Sequence, residues 1–596
     1  MKGHFVEGGA AWRRFEEVGL ARLDAAMRAA CALVPACLAA SRVANVPPAA
    51  DDAGVLRVLT LAPGAFRGLD AWIGSLGGLA LALPIGTRAE RAALGGALVL
   101  ALAAVALYTL VRSLLQACAE TKHVGTLVAA IAATTSLVAV PWQSESAAVG
   151  GSITGALLVL VAVLAAHRAA RASAVLRRGA WLAAFAALGL TASDEPLAIG
   201  VAAAGVLGLL AAGAEARASL RSAVRASGAV PFVAAFGAGL TPFVLGLARA
   251  RVAGVPLGEA LATGAFGEAG VVRATLGDAA RDHIGPLVLV LAGAGLGLAF
   301  LVPRARPLAT AMAGVATIGA LAAWGGSPVG PARFGTAVLA AQAATLALAG
   351  VAMQALVRAV AGARIPFARA SAAMIVVLEL VLPVDAADDT LARAALGARE
   401  NATSAWDDVA FGGLAPRSLV LADDPRVRAR LRAARAEGEL RGDIVAMATI
   451  TDGPLGWRAL ASRTSPADPN GKPLLPLFRD IALTGAPAEA SLSAIALLEP
   501  VAMAYEPRWG NAIGRHLTPL ALFDRFEPEP RGPSDRRRAL DASTADRERL
   551  ALDTAGDAEL AAASAALLRA RLAAATAQGD REMAARTLLD LRVFAP

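Results

Sequence analysis

The chain has 596 residues, 57% of them hydrophobic, and a mean hydropathy of +0.58. Soluble domains run at about 45–50% apolar residues, and runs of about 20 apolar residues indicate membrane spans, so the composition excludes an ordinary soluble enzyme. The formal charge of +8 does not indicate nucleic acid, because most basic residues lie in short loops between apolar runs and no basic patch interleaves aromatics.

Three lysines (Lys2, Lys122, Lys472) stand against fifty-three arginines, a composition of high-GC bacterial genomes. Cys31, Cys37 and Cys118 fall in or beside apolar runs and lack metal-ligand spacing to a histidine, which argues against a disulfide framework and against zinc. The first thirty residues are too long and too acidic for a cleaved signal, so the first span is expected to be retained.

Apolar windows in chain order predict spans at 26–44, 91–114, 123–141, 150–167, 179–193, 196–213, 228–247, 284–303, 307–326, 331–356 and 368–384. Each approaches the length that crosses about 30 Å of hydrocarbon at about 1.5 Å per residue. The shorter run 70–86 is expected to lie in the interface. With the N-terminus in the cytoplasm, the inner loops hold the arginine clusters around 13–22, 168–178, 217–225, 304–306 and 358–369. The short outer loops 142–149 and 194–195 hold no Lys or Arg, the positive-inside pattern. Two acidic pairs then fall on the outer face, Asp51–Asp52 in the first outer loop and Asp194–Glu195 between spans five and six. Glu379 is the acid well inside an apolar window, where a structural pair with an arginine of a neighbouring segment is expected. The run "GLGLAF" at 295–300 reads as a small-residue packing face rather than a nucleotide loop.

From Asp385 the composition becomes charged. "SLVLA" and "DIVAMATI" read as buried strands around a helix that Asp423 or Asp424 can cap, giving a parallel βαβ unit, and "EPVAMAYEP" reads as a further strand. After the Pro-rich linker "FEPEPRGPSDRRR", helical stretches at 544–572 and 575–592, split by "QGD", predict a hairpin. The expected fold is an α-helical polytopic bundle over 1–384, an extracytoplasmic α/β domain over 385–530, and a linker with a helical hairpin over 531–596.

This order of features resembles the GT-C superfamily of multi-span glycosyltransferases, and within it the protein O-mannosyltransferase-like branch. After one span, "DDAGVLRVLTLAPGAFRGLDAWIGSLGGLALALPIG" is similar to that branch's D-S-G-E motif and Pro/Gly-rich interfacial segment. "VAVPWQSESAAVGG" resembles its segment with a Trp and a Gln or Glu between spans. "TASDEPLAIG" stands where the branch carries an Asn-His turn, and "RSLVLADDPRVRARLRAARAEGELRGDIVAMATI" resembles its outer domain. The register Asp52-Ala53-Gly54-Val55 keeps the motif's Asp and Gly and lacks its Glu, and the Asn-His turn is replaced by Ser193-Asp194-Glu195.

The resemblance implies transfer of a sugar from a polyprenyl-phosphate donor to a protein or surface-polymer acceptor, at the outer face of a bacterial inner membrane. A hydroxyl acceptor must lose its proton as the anomeric carbon gains cationic character, so one carboxylate within reach serves as general base. Asp52 is the first candidate, with Asp51 as stand-in. Asp194, Glu195, Trp142 and Glu145 are candidates for substrate binding, and Arg57 and Arg67 for the lipid phosphate. Plainer readings stay open. Asp51–Asp52 can cap a helix near Gly54, Asp194–Glu195 can solvate a turn before Pro196, and the two arginines can snorkel to the interface. A relative without catalysis, kept for binding or assembly, is the second reading. A transporter ranks third, since it would need broken or charged helices at mid-membrane. Neither a bound metal nor a nucleic-acid partner is expected.

Overall fold

The structure, a computed structural model, describes residues 4–42, 84, 88–118, 122–147, 152–193, 197–252, 284–325, 335–363, 367–396, 399–424, 427, 430, 431, 434, 443–447, 484–554 and 558–594. In hydrocarbon each backbone N–H and C=O must find its partner within the chain, and runs rich in Ala, Leu and Val satisfy this as helices. Where described, the predicted apolar windows fall on helices, 123–141 and 368–384 each across two. They are α1 (His4–Arg42), α2 (Arg88–Cys118) and α3 (Lys122–Val138), which α4 (Val140–Ala147) follows at a bend. Next come α5 (Ile153–Arg171), α6 (Ala174–Leu190) and α7 (Ala198–Ala212), with α8 (Ala214–Ser227) folded across the end of α7. The bundle continues with α9 (Val230–Val252), α10 (Pro286–Leu301), α11 (Arg306–Gly325), α12 (Thr336–Ala361), α13 (Ala368–Glu379) and α14 (Val381–Leu396). Among the described residues eight helices are long and apolar enough to cross a membrane, or up to ten if each bent pair counts as one span. The chain is a multi-pass membrane protein. Its helices alternate direction, so one end of the bundle gathers Arg112, Arg168, Arg171, Arg177, Arg217 and Arg358, while the other holds fewer, among them Arg42, Arg88, Arg91 and Arg251 beside the long connections.

Lipid tails are as apolar as leucine, so helices in a bilayer associate by close backbone approach at small residues rather than by hydrophobic burial. A Cβ on Gly295 of α10 would stand 1.9 Å from the Leu348 carbonyl oxygen of α12, and Ala292 and Ala299 on the same stripe are buried. "GLGLAF" is therefore the packing face expected. At the α6–α9 crossing, a Cβ on Gly239 would meet the Ala186 carbonyl oxygen at 2.2 Å. α12 is buried along almost its whole length and forms the axis of the bundle.

The C-terminal part is an α/β unit that begins with α15 (Arg399–Gly412). Its sheet runs in the order β2-β1-β3-β5-β4, from β1 (Leu419–Leu421), β2 (Val445–Met447), β3 (Val501–Met503), β4 (Leu517–Pro519) and β5 (Asp524–Phe526). β1 pairs in parallel with β2 and β3, with Leu419 opposite Val445 and Val501. The three expected strands are present, the first two pair in parallel as expected, and Asp424 Oδ1 accepts the Val427 N–H at 3.3 Å as a helix cap. β4 and β5 form an antiparallel pair beside them.

Two readings need correction. The segment read as a linker contains α18 (Pro533–Ala542), which follows the short helices α16 (Glu489–Ala496) and α17 (Asn511–Arg515). The first helical stretch divides in two, α19 (Thr544–Asp553) and α20 (Ala558–Gln578), while the hairpin turns into α21 (Arg581–Phe594) at the expected "QGD", where Gly579 has φ +69, a conformation that favours glycine. α20 has the length and apolarity of a span, but it packs into the α/β unit. Leu567 and Leu568 share a core with Trp406, whose Nε1 donates to Ser564 Oγ at 3.0 Å.

Arg571 on α20 is 1% exposed and locks the hairpin to the sheet. It donates to Asp524 Oδ1 at 2.8 Å and to the carbonyls of Leu520, Leu522 and Phe523, which form the β4–β5 turn. Burial pushes the Asp524 carboxyl up, and Arg571 opposes that shift. Removing one partner of a buried pair costs about 3–5 kcal/mol, since the other charge is stranded. Arg571→Met is therefore expected to lower the C-terminal unit's stability by that order, read as a lower melting midpoint and earlier proteolysis within 399–594 of the full chain.

Candidate functional site

The arginine-poor end is organised by the break between α3 and α4, which bends the chain by 60°. Pro141 causes it. A proline has no N–H for the carbonyl four residues earlier, so Leu137 loses its helical donor. Gln143 replaces it, with Nε2 donating to Leu137 O at 2.6 Å and to Pro35 O of α1 at 3.1 Å. Thr390 of α14 donates to Val138 O at 2.7 Å, so the opened backbone is closed by side chains. The sequence "VPWQSES" is thereby carried into the bundle as a short polar helix. Trp142 and Gln143 are fully buried, and Glu145 and Ser146 nearly so.

Glu145 is 1% exposed, and its Oε2 accepts the Ser152 N–H at 2.7 Å, placing a carboxylate at the amino end of α5 where the helix dipole favours it. Ser152 O in turn accepts from Thr336 Oγ1 at 3.2 Å, which ties in the start of α12. Trp142 Nε1 has no hydrogen-bond partner among the described residues. A Cβ on Gly96 of α2 would meet Ser146 O at 2.1 Å, so α2 lies directly on the end of α4. α1 and α2 both pack on α4. They are the helices that bracket residues 43–87, leaving α1 after Arg42 and entering α2 at Arg88.

Asp51, Asp52, Arg57, Arg67, Asp194 and Glu195 lie outside the described residues. The last described residue before the second acidic pair is Ser193, buried at the end of the 3-10 turn Thr191–Ser193, with its hydroxyl unpartnered among the described residues. That turn packs on α5, the helix whose amino end Glu145 caps. Of the substrate-binding candidates, the described ones are thus Trp142 and Glu145, and both are internal.

Glu379 corrects an expectation. It is 8% exposed at the end of α13, and neither carboxylate oxygen has a hydrogen-bond partner among the described residues. Among the described residues the expected arginine partner is absent, and on its own helix Arg369 stands ten residues earlier, about 15 Å away along the axis. At the arginine-rich end Asp24 accepts from Tyr108 Oη at 2.7 Å, Arg28 at 2.9 Å and Arg112 at 3.3 Å. The i,i+4 spacing of Asp24 and Arg28 was a legible signal for part of this cluster.

A second polar cluster lies in the C-terminal unit. Because β1 sits between β2 and β3, chain connections leave it toward opposite edges, and such switch points open a crevice at the carboxyl ends of parallel strands. Asp423 and Asp424 follow β1, and Glu506 follows β3 with Arg508, whose guanidinium pairs with Asp423. Burial and then Asp423 raise the Glu506 carboxyl above the ordinary glutamate range, against the pull of Arg508. The described residues contain no group of three His, Cys, Asp or Glu side chains that could hold a metal ion.

Two outcomes follow from this geometry. Gln143→Leu leaves the Leu137 and Pro35 carbonyls without their donor, at about 1–3 kcal/mol for a buried unsatisfied group. It is expected to lower the melting midpoint of the detergent-solubilised chain, whereas Gln143→Glu, with one protonated oxygen as donor, should retain part of it at acidic pH. A raised folded-state acid contributes stability that is full below the ordinary value of 4.5 and lost as pH rises through the raised value. Glu506→Gln is accordingly expected to flatten the decline in C-terminal-unit stability between acidic and neutral buffer, measured by proteolysis of the full chain at each pH.

No family model matches the chain, and no curated protein does. Among solved structures it is similar to ArnT from Cupriavidus metallidurans bound to undecaprenyl phosphate, with a TM-score of 0.49 and 16% identity over 80% of this chain and 92% of that one. It is also similar to the oligosaccharyltransferase of Archaeoglobus fulgidus in the apo form, with a TM-score of 0.41 and 14% identity over 69% of this chain and 64% of that one.

Proposed function

We propose that the chain is a membrane glycosyltransferase that moves a sugar from a polyprenyl-phosphate donor to a protein or surface-polymer acceptor at the arginine-poor face of a bacterial inner membrane. The positive-inside pattern supports reading that face as extracytoplasmic. The observation that supports this reading best is α4. A polar helix is turned into the bundle at the arginine-poor end and wedged between the two helices that bracket the 43–87 segment, the segment of Asp51 and Asp52. A base placed there would work at the membrane edge, where an isoprenoid-linked donor can arrive from the bilayer.

In the proposed reaction the acceptor oxygen attacks the anomeric carbon as the bond from that carbon to the phosphate oxygen breaks. The electron pair leaves with the polyprenyl phosphate, and the acceptor proton passes to Asp52, with Asp51 as alternate. Arg57 and Arg67 would neutralise the lipid phosphate, and Asp194 and Glu195 would bind the acceptor. Glu145 and Trp142 would act by position, fixing the amino end of α5 and the wall behind the site.

The second reading, a relative without catalysis that serves binding or assembly, is favoured by one observation. Glu145 is buried and engaged by Ser152, so that carboxylate is committed to the scaffold. The discriminating measurement is transfer from a radiolabelled polyprenyl-phosphate sugar in membranes containing the full chain. General-base catalysis contributes about 10²–10⁴-fold, so Asp52→Asn is expected to lower transfer by at least 10²-fold with unchanged abundance. Unchanged product would remove Asp52 as the base, and no transfer by the unaltered chain across donor sugars would favour the second reading.

A further inference from the structure

We propose that α8 and the arginines beside it form a docking surface for the anionic phospholipid headgroups of the leaflet at the arginine-rich end. This rests on a different part of the molecule from the transfer reading. α8 is bent by 104° from α7, so where α7 crosses the bilayer α8 lies close to the membrane plane. Its inner face is fixed to the bundle. Ala216, Ser219 and Ala223 are buried, Trp181 Nε1 donates to Ser219 Oγ at 3.1 Å, and Ser219 Oγ donates to Ala169 O at 2.9 Å. Arg217 turns back to the last carbonyls of α7, donating to Leu210 O at 2.9 Å and to Ala211 O, so it belongs to the corner itself.

What remains faces outward. Arg221 and Arg225 stand at i,i+4 on the exposed side of α8, and exposed Arg168, Arg171 and Arg178 lie at the adjoining ends of α5 and α6. None of the five forms an ion pair with a described carboxylate, in contrast to the arginines of the C-terminal unit, many of which do. Glu215, in the first turn, is the acidic residue of α8. An amphipathic helix in the interface plane, anchored on its small-residue side and cationic on the other, is complementary to a layer of phosphate headgroups. An acidic soluble protein would also meet the charge. The orientation of α8 along the bilayer and the apolar helices ending beside it favour the lipid.

The test uses the full chain in detergent, titrated with phosphatidylglycerol or phosphatidylcholine and read by native mass spectrometry. The unaltered chain is expected to bind phosphatidylglycerol more tightly than phosphatidylcholine. Each basic side chain near a surface is worth on the order of fivefold in binding, so R221Q/R225Q is expected to weaken phosphatidylglycerol by on the order of 25-fold and leave phosphatidylcholine unchanged. R221K/R225K keeps the charges and is expected to keep most of the preference. A Gln variant that retains the full preference, a Lys variant that loses it as the Gln variant does, or an unaltered chain with no preference each overturns the proposal. The last of these would leave the face to an acidic protein.

Discussion

The arrangement depends on one constraint, that a backbone broken inside a membrane must be repaired by side chains. Pro141 opens the α3–α4 junction, and hydrocarbon offers no water to the freed carbonyls. Gln143 and Thr390 supply the donors, from two residues downstream and from the last membrane helix. Because Gln143 also reaches Pro35 O, the repair links α1, α3 and α14 at one point. Once the break is closed, the residues after it need not return to the surface. Glu145 therefore ends up inside the bundle, and its charge is tolerated because the first turn of α5 provides an N–H and a favourable dipole.

The rest of the bundle packs largely through small residues, with the Asp24 cluster and Ser219 as further polar ties. The α10–α12 contact is made where Gly295 meets Leu348 O, a distance that a side chain on that residue would not permit. In the C-terminal unit, outside the spans, the logic reverses. There the hairpin is held by a buried guanidinium that saturates a turn, and Arg547 does the same on a smaller scale with Asp590 and Ser543. Burial lowers the affinity of Arg547 for its proton, and so does neighbouring Arg571, while Asp590 restores it. The two parts of the chain thus spend arginine differently, at the rim of one and in the core of the other.

The fold class was legible in the sequence because both its signals are strong and local. Apolar runs of membrane length fell on helices, and the "SLVLA", "DIVAMATI" and "EPVAMAYEP" runs fell on strands. What escaped depends on contacts distant in sequence. Gln143 finds Pro35 across 108 residues and Arg571 finds Asp524 across 47, and no spacing rule reports either. The hairpin turn fell at "QGD" as expected, with Gly579 in the left-handed region, whereas the helix end at Asp553 was missed although Thr554-Ala555-Gly556-Asp557 is turn-forming sequence. Glu379 looked like half of a pair because a lone acid in an apolar run suggests one. Of the candidate site, Trp142 and Glu145 lie within described structure, and Asp51, Asp52, Arg57, Arg67, Asp194 and Glu195 lie beyond it.

Chain direction carries the last step. Thr390 is level with the α3–α4 break, since it bonds Val138, and α14 ends at Leu396. The α/β unit therefore leaves the bundle at the arginine-poor end, the same end that holds α4, the amino end of α5 and the Ser193 turn. The arginine clusters stand at the other end. An α/β unit whose parallel strands are followed by Asp423, Asp424 and Glu506 is thus tethered at the end where the transfer chemistry is proposed.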